Sequence, residues 1–214
     1  HNGPINVSAS WFHYNLTNHQ IGSSSYLPGT SVLISTQIAA GGEEAWGFQG
    51  EIGTRPWHHI SAYASGQFLH TRIGNNVDAG TDYLPTKGKQ DPGAPKWSGA
   101  IGLTYDDGVY FGNFNLRYQG AQYSTLMNDQ KIPGYMTADL NLGRTLPSFN
   151  TRVHPKIMLN LVNMGGVNYL SSISGFGLTA VKQKGIFGNT VSASTPTYVV
   201  GSAFTAVVTL AADF

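Results

Sequence analysis

The chain contains no cysteine, which excludes a disulfide framework and a thiolate metal site and suits an oxidising compartment where stray thiols are a liability. Charge is scarce too. Only 11% of the 214 residues are Asp, Glu, Lys or Arg, against about 25% in a soluble domain, so little material exists to coat a water-facing shell. The formal net charge of +1 gives no reason to expect a nucleic-acid partner or a polybasic membrane contact. No window approaches the ~18 apolar residues needed to cross a bilayer as a helix. No internal repeat, heptad or low-complexity tract divides the chain, which reads as one segment over residues 1–214. The sequence starts at His1 without Met or a targeting segment, so a processed chain or a fragment is expected.

What is abundant is glycine, with 27 residues, aromatics at 12%, and alternation. Met136, Ala138, Leu140 and Leu142 fall on one face of 135–146, and Thr137, Asp139 and Asn141 on the other. The same period of two places Tyr110, Phe114, Leu116 and Tyr118 opposite Asn113, Asn115, Arg117 and Gln119, and Trp97, Ile101, Leu103 and Tyr105 opposite Ser98, Ala100 and Thr104. Weaker versions run through 5–16, 45–54, 60–73 and 156–163, and a last one through 201–214. Period two marks strands with two differently solvated faces, and about eight are expected. Short connections at 55–59, 106–108 and 147–155 alternate with long polar ones at 17–44, 74–96, 124–134 and 168–196. Tight turns at one rim and long loops at the other describe an antiparallel transmembrane β-barrel. A soluble β-sandwich would turn its apolar faces into a core instead.

In the last strand Phe204, Val208, Leu210 and Phe214 share one face. A closing strand that alternates in this way and ends on an aromatic resembles the assembly signal of Gram-negative outer-membrane proteins, which implies that the barrel-assembly machinery reads these four residues and that the wall meets outer-membrane lipid. Three further stretches resemble the late barrel strands of TonB-dependent receptors: Leu84 to Gly108, Arg117 to Pro147 and Lys156 to Leu170. Tyr135, Asp139, Leu140, Asn141 and Leu142 match one family strand, and Leu159, Asn160 and Asn163 match another. Glu51 and Gly53 match a Glu-x-Gly-x-Lys strand, with Arg55 where Lys is commoner. The resemblance implies the last eight strands of a barrel of about 22, with the plug domain and earlier strands absent from this chain. It also implies import of a scarce ligand, most often a ferric siderophore, powered by TonB through that plug. The alternative is a complete eight-stranded anchor or adhesin.

Candidate ligand contacts are Tyr83, Lys87, Lys89 and Tyr123, aromatic and cationic residues in or beside the long loops that could meet an anionic ferric chelate. No catalytic residue is expected, because no Gly-x-Ser-x-Gly elbow or paired carboxylates stand out. No cofactor or metal site is expected either. His58 and His59 are adjacent in a turn, no His-x-x-x-His spacing occurs, and His13, His19 and His70 read as solvated loop or lumen residues.

Overall fold

The structure, a computed structural model, describes residues 4–26, 30–147 and 154–213. Among these residues there is no helix, and eight antiparallel strands pair in chain order into one sheet. They are β1 (Ile5–Tyr26), β2 (Leu33–Thr54), β3 (Ile60–Ile73), β4 (Trp97–Asp106), β5 (Tyr110–Gln119), β6 (Tyr135–Thr145), β7 (His154–Val162) and β8 (Thr205–Asp213). Each strand pairs only with its sequence neighbours, and no pairing joins β1 to β8 among the described residues. The sheet is therefore an open section of wall, as expected of part of a larger barrel; an eight-stranded barrel closes only through that missing pairing.

Register turns the alternation of each strand into two continuous surfaces. Val7 opposes Ile52, which opposes Ala64, then Ile101, Leu116 and Ala138 in turn. One residue along, Ser8, Glu51, Ser65, Ala100, Arg117 and Thr137 form the adjacent row on the other face. No second sheet covers the apolar face among the described residues: Val7 is 69% exposed, Ile101 50% and Leu210 75%. A soluble sandwich would have buried them. Aromatic rows bound this surface. Trp11, Phe48, Phe68 and Trp97 lie in one cross-strand row, and Tyr105 and Tyr110 stand eight or more residues nearer the tight turns. The eight-residue step from Trp97 to Tyr105 is about 26 Å along the strand at ~3.3 Å per residue, which at the ~40° tilt of barrel strands is ~20 Å of height, most of the ~25 Å apolar band of a membrane barrel.

The tight turns follow local chemistry. At 57–60 the backbones of Trp57 and Ile60 exchange hydrogen bonds of 2.8 and 3.0 Å, and His58 and His59 between them both take positive φ, 47° and 67°. These are the conformations of a two-residue hairpin loop whose twist matches its strands. At the next turn Asp107 Oδ1 accepts the N–H groups of Val109 and Tyr110, and Gly108 takes φ 87°.

One expectation is corrected. The stretch 17–44 is not a long loop, because β1 and β2 stay paired from Gln20–Ala39 to Tyr26–Leu33 as a hairpin of two 22-residue strands. Beyond the lipid both faces of a hairpin meet water or other loops, so the backbone ladder persists while the period-two signal disappears. Smaller shifts are that β5 stops at Gln119 and β7 begins at His154.

The buried apolar core lies in the outer crown and not along the wall. Ile21 from the hairpin, Ile73 from the end of β3, Val77 and Leu126 from two loops pack together, with Phe176 and Leu178 of a third against them. Each such burial contributes ~1.5–3 kcal/mol relative to exposure. Buried polar groups then lock the loops. Asp82, 4% exposed, accepts backbone N–H groups from Tyr83, Phe187 and Asn189 at 2.6 to 3.1 Å, joining loop 74–96 to loop 163–204. Asp129 accepts from the Thr125 and Thr179 hydroxyls and the Ala180 N–H, joining loop 120–134 to the same segment. Asn163, 1% exposed and at φ 51°, donates to the Val167 and Ser202 carbonyls while its N–H reaches Asp139 Oδ1.

Burial by itself would raise the Asp82 and Asp129 carboxyls. The backbone N–H groups around Asp82, and the Thr125 hydroxyl and Ala180 N–H at Asp129, outweigh it and hold both below the ordinary carboxylate value. Their contribution is therefore complete above ~pH 4 and is lost as pH falls through the lowered folded values.

Two outcomes are expected. Ile101→Arg, midway across the apolar face, should cost the protein reconstituted in a bilayer ~2–4 kcal/mol in urea titrations, whereas Ser65→Arg beside Glu51 on the inner face should be tolerated. Protection of the 181–190 amides, taken relative to their intrinsic exchange rates, should be high at pH 7 and fall only below ~pH 4, and should be low already at pH 7 in Asp82→Asn.

Candidate functional site

Two surfaces carry polar chemistry: the inner face of the wall and the crown above it. On the inner face, Glu51, Gln67, Ser98, Arg117 and Gln119 line a recess of about 430 Å³. Tyr63 donates to Glu51 Oε2 at 3.3 Å, Ser98 to Gln67 Oε1 at 3.5 Å and Asn115 Nδ2 to Asn113 Oδ1 at 2.9 Å. Asn141 Oδ1 is buried without a hydrogen-bond partner among the described residues. A hydrogen-bonding recess with one cation, Arg117, and one anion, Glu51, can hold water or a packed polar segment without a strong field.

In the crown the four candidate ligand contacts have different surroundings. Tyr83 is 43% exposed, and its ring meets that of Phe187, 76% exposed, edge-on at 6.2 Å. The Asp82 clamp beneath, which bonds the N–H groups of both residues, fixes this pair. Lys87 is exposed, with its N–H held by Asn76 Oδ1. Lys89 is half-buried, and its carbonyl accepts the Ile73 N–H. Tyr123 is half-buried with Lys131 Nζ over its ring at 5.6 Å. Phe187 and Lys131 carried no signal in the sequence, because each acquires its position from a loop distant in the chain. Tyr135, one of the family-like residues, stacks on Tyr169 at 4.2 Å.

Of the residues expected to form an assembly signal, Phe204 precedes β8 and Val208 and Leu210 lie on it, all three exposed. Phe214 lies outside the described residues.

The histidines separate by environment. His13 Nε2 sits 3.5 Å from Glu44, which Arg72 also approaches at 3.8 Å, and His70 lies against Trp46. His19 differs from the solvated residue expected, for its Nδ1 is buried 2.6 Å from Glu43 Oε2. Glu43 is 7% exposed, and Asp91 of loop 74–96 completes a group of three ligand-type side chains. Burial first, and the Glu43 carboxylate second, push the Asp91 carboxyl up to about 7. No spacing rule finds this cluster, since its members come from β1, β2 and a loop.

Comparison with known proteins agrees with this geometry. The family described as TonB dependent receptor-like, beta-barrel, matches residues 1–198. No functionally curated protein matches in sequence. Among solved structures, the siderophore receptor PiuA from Acinetobacter baumannii superposes with a TM-score of 0.66 at 15% identity, over 98% of this chain and 26% of that one. The ferric preacinetobactin receptor BauA of the same organism gives 0.66 at 16%, over 100% and 28%. The ferric yersiniabactin uptake receptor FyuA from Yersinia pestis also gives 0.66 at 16%, over 100% and 28%. The chain thus spans little more than a quarter of each receptor. Family members are transport receptors, not enzymes, and reside in the outer membrane of Gram-negative bacteria. With its open sheet, apolar outer face, polar inner face and looped crown, this chain belongs to the TonB-dependent receptor β-barrel family.

Proposed function

We propose that the chain supplies the late wall strands and outer loops of a Gram-negative outer-membrane receptor that imports a ferric siderophore. The observation that carries this reading is the mouth of the crown, where the exposed Tyr83–Phe187 pair is presented on a clamped base and Lys87 stands on the same loop. Aromatic faces and cations suit a bulky anionic chelate, and the names of the solved relatives agree. Lys89 and Tyr123 are assigned to the same ligand surface.

In this reading the plug and the remaining strands come from outside these 214 residues, and the plug packs against the polar inner face. Ligand capture by the loops precedes rearrangement of the plug under the pull of TonB, while the wall stays fixed. Lipid covers the apolar face. Phe204, Val208, Leu210 and Phe214 serve as the signal for the barrel-assembly machinery.

Deleting the gene should abolish uptake of one class of radiolabelled ferric siderophore in a TonB-dependent manner; unchanged uptake across a siderophore panel sinks the proposal. Replacing both Tyr83 and Phe187 by Ala should weaken binding of that chelate by about 1 kcal/mol, roughly fivefold in Kd. Replacing Leu210 and Phe214 by Ser should lower the amount of receptor in the outer membrane and raise the periplasmic pool. A segment 1–214 that closes by itself into a heat-modifiable barrel in detergent would favour the anchor reading instead.

A further inference from the structure

The strand pairing of the outer hairpin is irregular at one place. The ladder slips between Leu16 and His19 and again between His19 and Gln20, where Asn18 takes φ 57° and Gly41, the partner of His19, takes φ 74°. A side chain at Gly41 would meet Asn75 at 2.7 Å. Such bulges re-aim a side chain, and this one points His19 at Glu43. Loop 74–96 returns over the same spot: the Asp91 N–H bonds Thr71 Oγ1 at 3.0 Å and the Ile73 N–H bonds the Lys89 carbonyl.

The ligand-type atoms of His19, Glu43 and Asp91 lie within 4.8 Å of one another. Two ligand atoms on one ion at ~2.1 Å can be no more than ~4.2 Å apart, so a small side-chain rotation brings all three into range. Three features distinguish this from an ordinary ion pair. Glu43 is more than nine-tenths buried, and among the described residues no hydrogen bond reaches its carboxylate. His19 Nδ1 is buried 2.6 Å from Glu43 Oε2, yet the approach lies off the direction in which a ring N–H would donate. Asp91 Oδ1 is likewise buried without a partner. Lone pairs that converge without a hydrogen between them are what a shared cation accommodates, and the buried Glu43 carboxylate beside the half-buried Asp91, facing one imidazole, is undercompensated without one.

We propose that His19 Nδ1, Glu43 and Asp91 bind a divalent first-row transition cation at the inner rim of the barrel mouth, tying loop 74–96 to the outer hairpin. One imidazole nitrogen with two carboxylates suits Zn²⁺ and its neighbours and disfavours Ca²⁺, which takes oxygen ligands. The test uses the whole receptor, purified in detergent, stripped with EDTA and dialysed against Zn²⁺ at pH 7.5. Mass spectrometric metal analysis should find one equivalent of Zn²⁺ that is lost in His19→Gln and in Asp91→Asn and retained in His13→Gln. Thermal melting supplies a second readout. Without metal, Asp91→Asn should melt higher than the native receptor, because the buried carboxylate repulsion is gone, yet it should gain nothing on adding Zn²⁺. Equal zinc in the native protein and in His19→Gln overturns the proposal, as does a site that prefers Ca²⁺ or zinc-induced stabilisation that survives in Asp91→Asn. None of these readouts involves siderophore uptake, so they stand or fall separately from the transport reading.

Discussion

The wall depends on one constraint: in hydrocarbon, each backbone N–H and C=O must find its partner within the protein, because no water is there to take its place. A sheet satisfies this only if every strand is held in register by both neighbours, and β2 to β7 each pair on both sides, as the unbroken rows from Val7 to Ala138 and from Ser8 to Thr137 show, while β1 and β8 are the edges of this section of wall among the described residues. With period two, the same register sorts side chains without further design. One face carries Ile52, Ile101 and Leu142, and the other Glu51, Arg117 and Asn141. A slip of one residue in any strand would present its Gln and Asn to lipid.

Packing follows a different rule in the crown. There water is available, burial of apolar area is favourable again, and the Ile21, Ile73, Val77 and Leu126 cluster forms as it would in a soluble domain. The protein therefore stabilises its wall by the hydrogen bonding of its strand ladder and its crown by a small core with carboxylate clamps. Asp82 and Asp129 each gather N–H groups from loops about 50 to 100 residues apart in sequence, which positions exposed groups such as Phe187 that would otherwise have no fixed place.

Function divides along the same line. The inner wall, neutral and hydrogen-bonding, is a surface for something to rest against. The exposed Tyr83–Phe187 pair and the His19, Glu43 and Asp91 cluster lie in the crown, where loops of separate origin meet. The described tight turns at the other rim, 57–60 and 107–110, are set by local geometry, with His58 and His59 at positive φ and Asp107 holding the second.

The sequence by itself determined the wall. Alternation at residues 97–105, 110–118 and 136–142 is a local property imposed by two unlike media, so strands, faces and short turns could be read from one chain without any partner. It did not determine the crown. The outer halves of β1 and β2 lie beyond the lipid and lose the alternating pattern, so only pairing across the hairpin revealed them. Phe187 beneath Tyr83's ring edge, Lys131 over Tyr123, and Asp91 beside His19 are contacts between loops far apart in sequence. Tertiary structure decided them, because a loop's position is set by whichever distant N–H groups and apolar side chains it finds to pack against, and no periodicity records that.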